Sequence, residues 1–249
     1  MYGTNRSPDV SLVVTLHDEG TLAYSSLVSI AKSVHALSRD CETILVLDRV
    51  DEGTAATVAE ALRRLEWRCR IENVDFGDPS LSRNFGIAAS TAPFVGVVDG
   101  DDLISENYLA AHLEAAESAS LPCVIRPALV VTFGAEQSFQ LQPDESTNPI
   151  SRESMLSINP WISAAFAERS ILEENPWHPI VKPGFGYEDW HWNCELMAAG
   201  IRNFTAPETT YFYRRRKGSS RNINANMHSS WLPKSGLFAT QVPARRGTA

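Results

Sequence analysis

The 249-residue sequence lacks an excess of positive charge and lacks long apolar runs. Its 22 Lys and Arg stand against 30 Asp and Glu, so the formal net charge at pH 7 is −8, which argues against a general nucleic-acid binder. A membrane span needs about 20 mostly apolar residues, and the best candidate, residues 123–135, is interrupted by Arg126 and Pro127. The sequence therefore predicts a protein that is soluble or at most peripheral at a membrane.

Cysteine is also scarce, and the four cysteines form no CxxC pair. Neither a disulfide framework nor a zinc site is expected, so we predict buried free thiols in a reducing compartment, which favours a cytoplasmic location. The apolar run at residues 10–16 has no small-residue cleavage pattern behind it and is expected to be a first strand instead of a signal peptide. At 43% hydrophobic and 21% charged residues, the composition is that of an ordinary folded domain.

Short apolar, β-branched runs alternate with helical stripes along the first hundred residues. The runs cover residues 11–16, 43–47, 69–74 and 94–98. Between them, apolar residues recur at steps of three and four over 23–37 and over 55–65, so each segment has one apolar face. This order predicts an α/β domain whose mainly parallel central sheet is flanked by helices and joined by right-handed crossovers.

Carboxylates follow these predicted strands where each strand ends. Asp48 follows the second run, Asp75 the third and Asp99 the fourth, while His17-Asp18-Glu19 close the first. Ligands of such sheets bind outside the carboxyl ends of the strands. We therefore expect these carboxylates to meet at one edge of the sheet.

The cluster Asp99-Gly100-Asp101-Asp102 is the sharpest chemical signal in the sequence. Hard carboxylate oxygens at alternate positions of a turn suit Mg²⁺ or Mn²⁺, which take one or two protein carboxylates beside phosphate oxygens and water. Like charges at one strand end repel each other unless a cation or a solvated turn relieves them. Since a D-x-D pattern alone is weak, an acidic surface turn before a helix near Ser105 remains the alternative.

The middle of the chain has weaker patterns. Ser105 and Glu106 predict the capped start of a helix that runs to about Ser118. Residues 123–133 predict a further strand, and the polar, Pro-containing segment 134–160 predicts a loop.

Towards the C-terminus, one helix and one strand are predicted. Gly184 and Gly186 precede Glu188-Asp189-Trp190, which open a helix that stops at Gly200, a C-cap signal. The segment 210–214 alternates like a strand and runs into a basic cluster over 214–221, and the tail over 241–249 is predicted to be disordered.

In order and spacing, these motifs resemble those of the family 2 glycosyltransferases, from about residue 10 to residue 220. The family's V-V-I-P-x-Y-N-E is similar to residues 13–19 (VVTLHDE), and its I-I-V-V-D-D-x-S to residues 44–48 (ILVLD). Residues 81–102 closely match the family's S-x-A-R-N-x-G-I-x-x-A-x-G-x-Y-I-x-F-L-D-S-D-D. Glu188-Asp189 match its acidic E-D pair. The resemblance implies a single GT-A domain over 1–240, with a nucleotide-sugar-binding half over about 10–102 and an acceptor-binding half over about 103–240.

The resemblance further implies the inverting transfer of one sugar from a UDP-, GDP- or dTDP-sugar to an acceptor hydroxyl. Asp101, together with Asp99, would ligate Mn²⁺ or Mg²⁺, and Asp189 would be the general base with Glu188 in support. The implied nucleotide-sugar contacts are Thr15, His17, Glu19, Asp48 at the base, Arg83 near the phosphates, Asp99 and Gly100. The acceptor would be a carbohydrate, lipid-linked or small molecule, in polysaccharide, glycolipid or other glycoconjugate biosynthesis.

The sequence departs from the family pattern at three points. The first strand ends in Thr15-Leu16 where proline is usual, and Asp48 is followed by Arg49 instead of a second aspartate. Many members also carry Y-R-x-H-x-x-S, whose histidine can ligate the metal, where this chain has Arg216. Because a guanidinium has no free lone pair for a metal ion, our hypothesis is that Arg214 or Arg216 pairs with the diphosphate. A solvated basic loop is the alternative.

Other functions stay open at this point. A nucleotidyltransferase or sugar-nucleotide pyrophosphorylase would usually open with a Gly-rich loop bearing Arg or Lys, which residues 15–21 do not supply. A catalytically silent nucleotide-sugar-binding protein would have no need of Asp99, Asp101 and Asp189. The Q-x-x-R-W motif of processive synthases is absent, which favours single addition.

Aromatic residues in the second half are candidates for stacking on an acceptor. They are Trp161, Trp177, Trp190 and Trp192. Core packing is the more common fate of tryptophan, so both readings stay open from the sequence.

Overall fold

The computed structural model describes residues 7–179, 186–216 and 232–239. The strands are β1 (Val10–Leu16), β2 (Cys41–Asp48), β3 (Arg70–Val74), β4 (Phe94–Asp99), β5 (Leu103–Ile104), β6 (Cys123–Gly134), β7 (Ser138–Leu141), β8 (Ala165–Glu168) and β9 (Arg202–Arg215). The helices are α1 (Leu22–Ala36), α2 (Glu52–Leu65), α3 (Pro79–Ala89), α4 (Tyr108–Ser118), α5 (Arg169–Glu174) and α6 (Glu188–Ala198), with 3₁₀ turns at Arg152–Leu156 and Gly236–Phe238.

The first four strands form the parallel sheet that the sequence predicts. β1 pairs in parallel with both β2 and β4, and β2 pairs in parallel with β3. Every residue of β1 is buried, as expected of a strand covered by helices on both faces. Leu12 and Val14 pack into the core beneath α1, whereas Val13 packs into the core on the opposite face. The carboxyl ends of β1, β2 and β4 therefore lie side by side.

The second half of the chain continues the sheet with mixed pairing. β8 is antiparallel to β4 and to β6, β9 is parallel to β6, and β5 and β7 are antiparallel edge additions. β9 is much longer than the predicted strand over 210–214. Its first part pairs with β6 up to Ala206, and the register then shifts opposite Pro127 and Leu129. Because Pro207 and Glu208 interrupt the alternation at that irregularity, the sequence revealed only the second part of β9.

Two other predictions about this half were wrong in detail. Helix α4 begins at Tyr108, not at Ser105, and Ser105 caps no helix. Its hydroxyl instead accepts a hydrogen bond from the N–H of Thr210 (3.1 Å), which joins the start of α4 to β9. The segment 134–160 is not all loop, because it contains β7 and the 3₁₀ turn. β7 was missed because all four of its residues are exposed and so give no core-facing alternation.

The end of α6 follows the prediction. Gly200 adopts a left-handed φ of +79° one residue after the helix C-cap, a backbone conformation that favours glycine. Gly184 and the tail over 241–249 lie outside the described residues, as does the basic cluster beyond Arg216.

Apolar cores cover both faces of the sheet and include most of the large aromatics. Trp177 and Trp192 pack in the core beneath α3, α5 and α6, with their ring centroids 3.6 Å apart. Trp161 is also buried, so these three tryptophans pack in the core and are not exposed for stacking on an acceptor. Trp190 is half-buried, and its indole N–H donates to the carbonyl of Met155.

All four cysteines are free, as predicted, although Cys41 and Cys69 are only partly buried. No helix in the part of the chain that the structure describes combines the length and apolar character needed to cross a bilayer.

Candidate active site

A cleft of about 330 Å³ opens at the carboxyl ends of β1, β2 and β4. The first turn of α6 and the end of β9 also line it. Of the twelve site residues predicted from the sequence, the cleft is lined by all except Gly100: Thr15, His17, Glu19, Asp48, Arg83, Asp99, Asp101, Glu188, Asp189, Arg214 and Arg216. Residues that are 200 positions apart in sequence are therefore brought to one site.

Asp48, at the end of β2, organises the loop that leads into α3. Its Oδ1 accepts the N–H groups of Phe76 and Gly77, and its Oδ2 accepts the N–H of Asp78 and the hydroxyl of Ser82. Although burial opposes it, this set of donors holds the pKa of Asp48 below its usual range. The carboxylate is thus ionised and shapes the floor of the cleft, and its contact to a nucleotide base stays a prediction.

Asp99, at the end of β4, is held by three side chains. Arg83 Nη2 donates to both carboxylate oxygens (2.9 and 3.0 Å), the hydroxyl of Thr15 donates to Oδ1 (3.0 Å), and that of Ser163 donates to Oδ2 (3.1 Å). Arg83 is only 5% exposed, and burial disfavours its charge. Asp99 and Glu188 nevertheless raise the pKa of Arg83, so a buried positive charge lies at the centre of this acidic cleft.

Gly100 lies beneath the cleft and allows the turn after β4 to contact the end of β1. Its N–H donates to the carbonyl of Thr15 (2.8 Å). A Cβ at this position would lie 2.8 Å from that carbonyl oxygen and 2.6 Å from Leu16 Cγ. The close approach of two backbones therefore requires glycine here.

Asp101 and Asp102 face different surroundings. Asp101 Oδ2 lies 3.0 Å from Arg216 Nη2, and its backbone carbonyl accepts from Arg214 Nε (2.7 Å). Asp102 is buried and accepts from the hydroxyl of Tyr211 and the N–H of Arg214. Burial and the neighbouring Asp101 raise its pKa well above the usual range. Arg214 and Arg216 thus line the cleft wall, and Asp102 fixes that wall in place.

Glu19 lines the cleft although its side chain is mostly buried, and its Oε2 accepts the N–H of His17 (2.6 Å). Burial raises the pKa of Glu19 to about 7, the His17 hydrogen bond opposes the shift and the charge of Asp101 adds to it. The His17 side chain is 55% exposed and lies 3.4 Å from Asp18, so it forms the solvent-facing rim.

Asp189 occupies the first turn of α6, directly after Glu188. Its Oδ1 accepts the N–H of Trp190 (2.8 Å), and its Oδ2 accepts Nδ2 of Asn159 (3.2 Å). Burial and the neighbouring Glu188 raise the pKa of Asp189 to about 6. A carboxylate with that pKa is mostly ionised at neutral pH and is basic enough to accept a proton during a reaction.

Of the two carboxylates predicted to bind a metal, Asp101 is the better placed to meet a cation, because both oxygens of Asp99 accept hydrogen bonds whereas one oxygen of Asp101 pairs with Arg216. Within the described ranges, no group of three or more His, Cys, Asp or Glu is arranged to hold a metal ion. Mg²⁺ commonly binds through one or two carboxylates together with substrate phosphates. The donor set of this cleft fits that mode, in which the ligand itself supplies most of the oxygens.

The sequence did not predict the role of three residues of the site. Ser82 holds Asp48, Ser163 holds Asp99, and Asn159 holds Asp189. Ser163 and Asn159 come from segments without periodicity, and each acts on a residue more than 25 positions away. No local pattern encodes such contacts.

Residues 11–156 match the family model described as Glycosyl transferase family 2. Two curated relatives carry related descriptions. "Uncharacterized glycosyltransferase EpsJ" of Bacillus subtilis is 29% identical over 117 residues, which is 47% of this chain and 33% of that protein. "Succinoglycan biosynthesis protein ExoO" of Rhizobium meliloti is 24% identical over 230 residues, which is 86% of this chain and 63% of that protein.

Two similar solved structures agree on the fold. TarS residues 1–349 of S. aureus, in complex with UDP-GlcNAc, has a TM-score of 0.61 at 16% identity and covers 86% of this chain. The mannosyltransferase PcManGT of Pyrobaculum calidifontis, in complex with GDP-Man and Mn²⁺, has a TM-score of 0.60 at 14% identity and covers 90%. The chain spans 60% and 64% of those two structures. The expected α/β fold of the GT-A type is confirmed.

Proposed function

Since the chain belongs to glycosyltransferase family 2, we propose that it transfers a single sugar from a nucleoside-diphosphate sugar to an acceptor hydroxyl, with inversion at the anomeric carbon. The observation that carries the proposal is the arrangement of Asp189 and Asp101 on the same cleft. The relative described as a succinoglycan biosynthesis protein supports a role in polysaccharide biosynthesis. UDP- and GDP-sugars are the first donors to test, because the similar structures hold UDP-GlcNAc and GDP-Man.

The donor would lie along the ends of β1, β2 and β4. Its base would approach Thr15 and Asp48, and its diphosphate would face Arg214 and Arg216, whose guanidinium groups already line that wall. Arg83 is almost fully buried and bound to Asp99. It would therefore act on the diphosphate through its charge and not through a direct bidentate contact.

A divalent cation, Mn²⁺ or Mg²⁺, would be held by Asp101 and by oxygens of the diphosphate. When bound, such an ion stabilises the negative charge of the leaving diphosphate as a Lewis acid. The Mn²⁺ in the PcManGT complex supports a divalent cation for this chain as well.

Asp189 would be the general base. As the acceptor oxygen attacks the anomeric carbon, the carbon–oxygen bond to the diphosphate breaks and its electron pair leaves with the diphosphate. The acceptor proton passes to Asp189, which lines the same cleft as Arg214. Attack on the face opposite to the leaving group inverts the anomeric carbon. A positioned base of this kind contributes roughly 10²–10⁴-fold to the rate.

Thermal unfolding of the full chain with a panel of UDP-, GDP- and dTDP-sugars, each with and without Mn²⁺, tests the donor class. A ligand that binds the native state raises the unfolding temperature. We expect at least one nucleotide sugar to do so, and more strongly with Mn²⁺. A response to nucleoside triphosphates alone would instead favour a nucleotidyltransferase, and no response to any of these nucleotides would overturn the proposed donor class.

A further inference from the structure

Arg126, the fourth residue of β6, is a fully buried cation whose hydrogen bonds all go to neutral oxygens. Its Nε donates to Asn203 Oδ1 (2.9 Å), and its Nη2 donates to Asn193 Oδ1 (2.7 Å). Its Nη1 donates to the carbonyls of Ile162 and Ala164 (2.7 and 2.8 Å). Burial lowers the pKa of Arg126 to about 9, so the side chain is still charged at neutral pH.

The chemistry of these groups fixes which way each amide points. A guanidinium can only donate hydrogen bonds, so the atom of Asn193 that faces Arg126 must be its oxygen. The Asn193 nitrogen must then donate, and it does so to Asn159 Oδ1 (2.8 Å) and to the carbonyl of Trp161 (3.1 Å). Because Asn159 accepts there with its oxygen, its nitrogen is the atom that donates to Asp189 Oδ2 (3.2 Å).

A second arm runs from Arg126 in the opposite direction. Asn203 accepts from Arg126 with its oxygen and donates with its nitrogen to Oε2 of the buried Glu145 (3.4 Å). Each of the two carboxylates is thus linked to the buried cation through amides instead of directly. This arrangement gives Arg126 two counter-charges, Glu145 and Asp189, both of which favour its charged form.

We propose that Asn159, Asn193 and Arg126 form a relay of fixed polarity that positions Asp189 and keeps it ionised. The proposal rests on the proposed function only in naming Asp189 as the base. Arg126 sets the direction of both amides, so the group presented to Asp189 Oδ2 is always an N–H donor. A donor favours the ionised carboxylate and orients it relative to the cleft. Asn159 is therefore a positioning residue in contact with the base, and Asn193 and Arg126 act through it.

Other charged and titratable groups of the described chain also act on Asp189. Glu188 precedes it on α6 and disfavours its ionised form, whereas Arg83 of α3 favours that form. Tyr213 of β9 lines the same cleft, and burial, together with the charge of Asp189, raises its pKa. The relay opposes the effects of Glu188 and of burial, which by themselves favour the protonated acid.

Carboxyl NMR of the full chain labelled with ¹³C at aspartate Cγ tests the relay without any sugar transfer. The Asp189 signal is assigned by its loss in Asp189→Asn, and its pKa is then measured in Asn159→Ala and Asn193→Ala. We expect Asn159→Ala to raise the pKa of Asp189 by about one pH unit, the effect of losing one hydrogen bond to a charged group. Asn193→Ala keeps Asn159 but frees its amide to turn its oxygen towards Asp189, so we expect this variant to raise the pKa as well. Asn203→Ala is the matched control, since Asn203 is as buried as Asn193 and contacts Arg126 on the other arm. It should lower the unfolding temperature and leave the pKa of Asp189 unchanged.

An unchanged pKa of Asp189 in Asn159→Ala would overturn the proposal. Because Asn159 is only half-buried, we expect this variant to fold even if Asn193→Ala does not. A rise in Asn159→Ala without a rise in a folded Asn193→Ala would overturn the relay, because Asn159 would then act alone. An equal rise in Asn203→Ala would also overturn it, since the effect would then be general loosening. Full turnover by Asp189→Asn would show that Asp189 is not the base and would overturn the proposed function. The pKa measurements would still test whether Asn159 and Asn193 position Asp189.

Discussion

The guanidinium of Arg216 lies 3.0 Å from the carboxylate of Asp101, the group best placed to meet a cation. The same guanidinium also donates to the backbone carbonyl of Asp18 (3.2 Å), so it spans the mouth of the cleft between β1 and β4. Arginine cannot ligate a metal ion, but under the proposed function it would neutralise Asp101 until a cation and a diphosphate bind. The position where many relatives have a histidine thus holds a fixed positive charge.

We expect the Arg216→Ala substitution to weaken donor binding. If the side chain turns from Asp101 to the diphosphate, its loss should lower affinity for the nucleotide sugar by about 10-fold or more, the effect of one charge-assisted hydrogen bond. Isothermal titration calorimetry at saturating Mn²⁺ measures this directly. Arg215→Ala is the matched control, because that side chain packs on Tyr213 and pairs with Glu136. Unchanged affinity in Arg216→Ala would refute the role of Arg216.

The Asp48→Asn substitution should destabilise the fold by about 2–3 kcal/mol at pH 7, because it puts an amide against four donors that need an acceptor. Urea unfolding of the two proteins measures the difference. Asp75→Asn is the control, because the Asp75 side chain is 87% exposed. Its free energy of unfolding should stay within about 0.5 kcal/mol of that of the parent.

The pH dependence of the Asp48 effect has a definite sign. Since folding lowers the pKa of Asp48, its stabilisation is complete above the unfolded pKa of about 4 and is lost as the pH falls through the folded value. The difference in the free energy of unfolding between the parent and Asp48→Asn should therefore become smaller below about pH 4. A difference in the free energy of unfolding that grows as the pH falls would contradict this account.

The Gly100→Ala substitution should impair donor binding without removing any functional group. The new Cβ would meet Leu16 Cγ and the carbonyl of Thr15 at 2.6 and 2.8 Å, so the turn that carries Asp99 and Asp101 must shift. We expect a cost of about 1–3 kcal/mol in stability and a loss of Mn²⁺-dependent stabilisation by the nucleotide sugar. Gly53→Ala is the control, since its nearest neighbour would be an ordinary 3.5 Å away. Normal donor binding in Gly100→Ala would show that the close approach is unimportant.

Turnover should depend on pH with an apparent pKa close to that of Asp189, about 6. Because the base must be ionised to accept a proton, kcat/KM should fall about tenfold per pH unit well below pH 6 and level off above it. Initial rates of nucleoside-diphosphate release between pH 5 and 8 measure the profile. A rate that does not change between pH 5 and 7 would exclude Asp189 as the group that titrates.

The part of the site at the carboxyl ends of β2 and β4 was predictable because its residues follow strands whose apolar patterns are local. Asp48 and Asp99 each come directly after a buried run, and parallel pairing brings those ends together. The sequence could not reveal what these carboxylates bind within the protein. The contacts of Asp99 with Ser163 and of Asp48 with the Phe76 and Gly77 backbone depend on tertiary packing.

The second half of the chain was less predictable for a related reason. β7 buries no side chain, and the long β9 is interrupted by an irregularity at Pro207. Arg126 served in the sequence only as a break in an apolar run, yet in the fold it is buried and linked through Asn193 to the candidate base. A buried polar network leaves no periodic trace, since its members come from separate elements.

The central claim is tested most directly by nucleoside-diphosphate release from the donor found in the binding panel, measured for the parent and for Asp189→Asn with Mn²⁺ and with a chelator. We predict release that requires the cation and falls by about 10²–10⁴-fold in Asp189→Asn, while the affinity for the donor stays within about twofold of the parent. Full-rate release by Asp189→Asn, or release by the parent that is indifferent to the cation, would contradict the account.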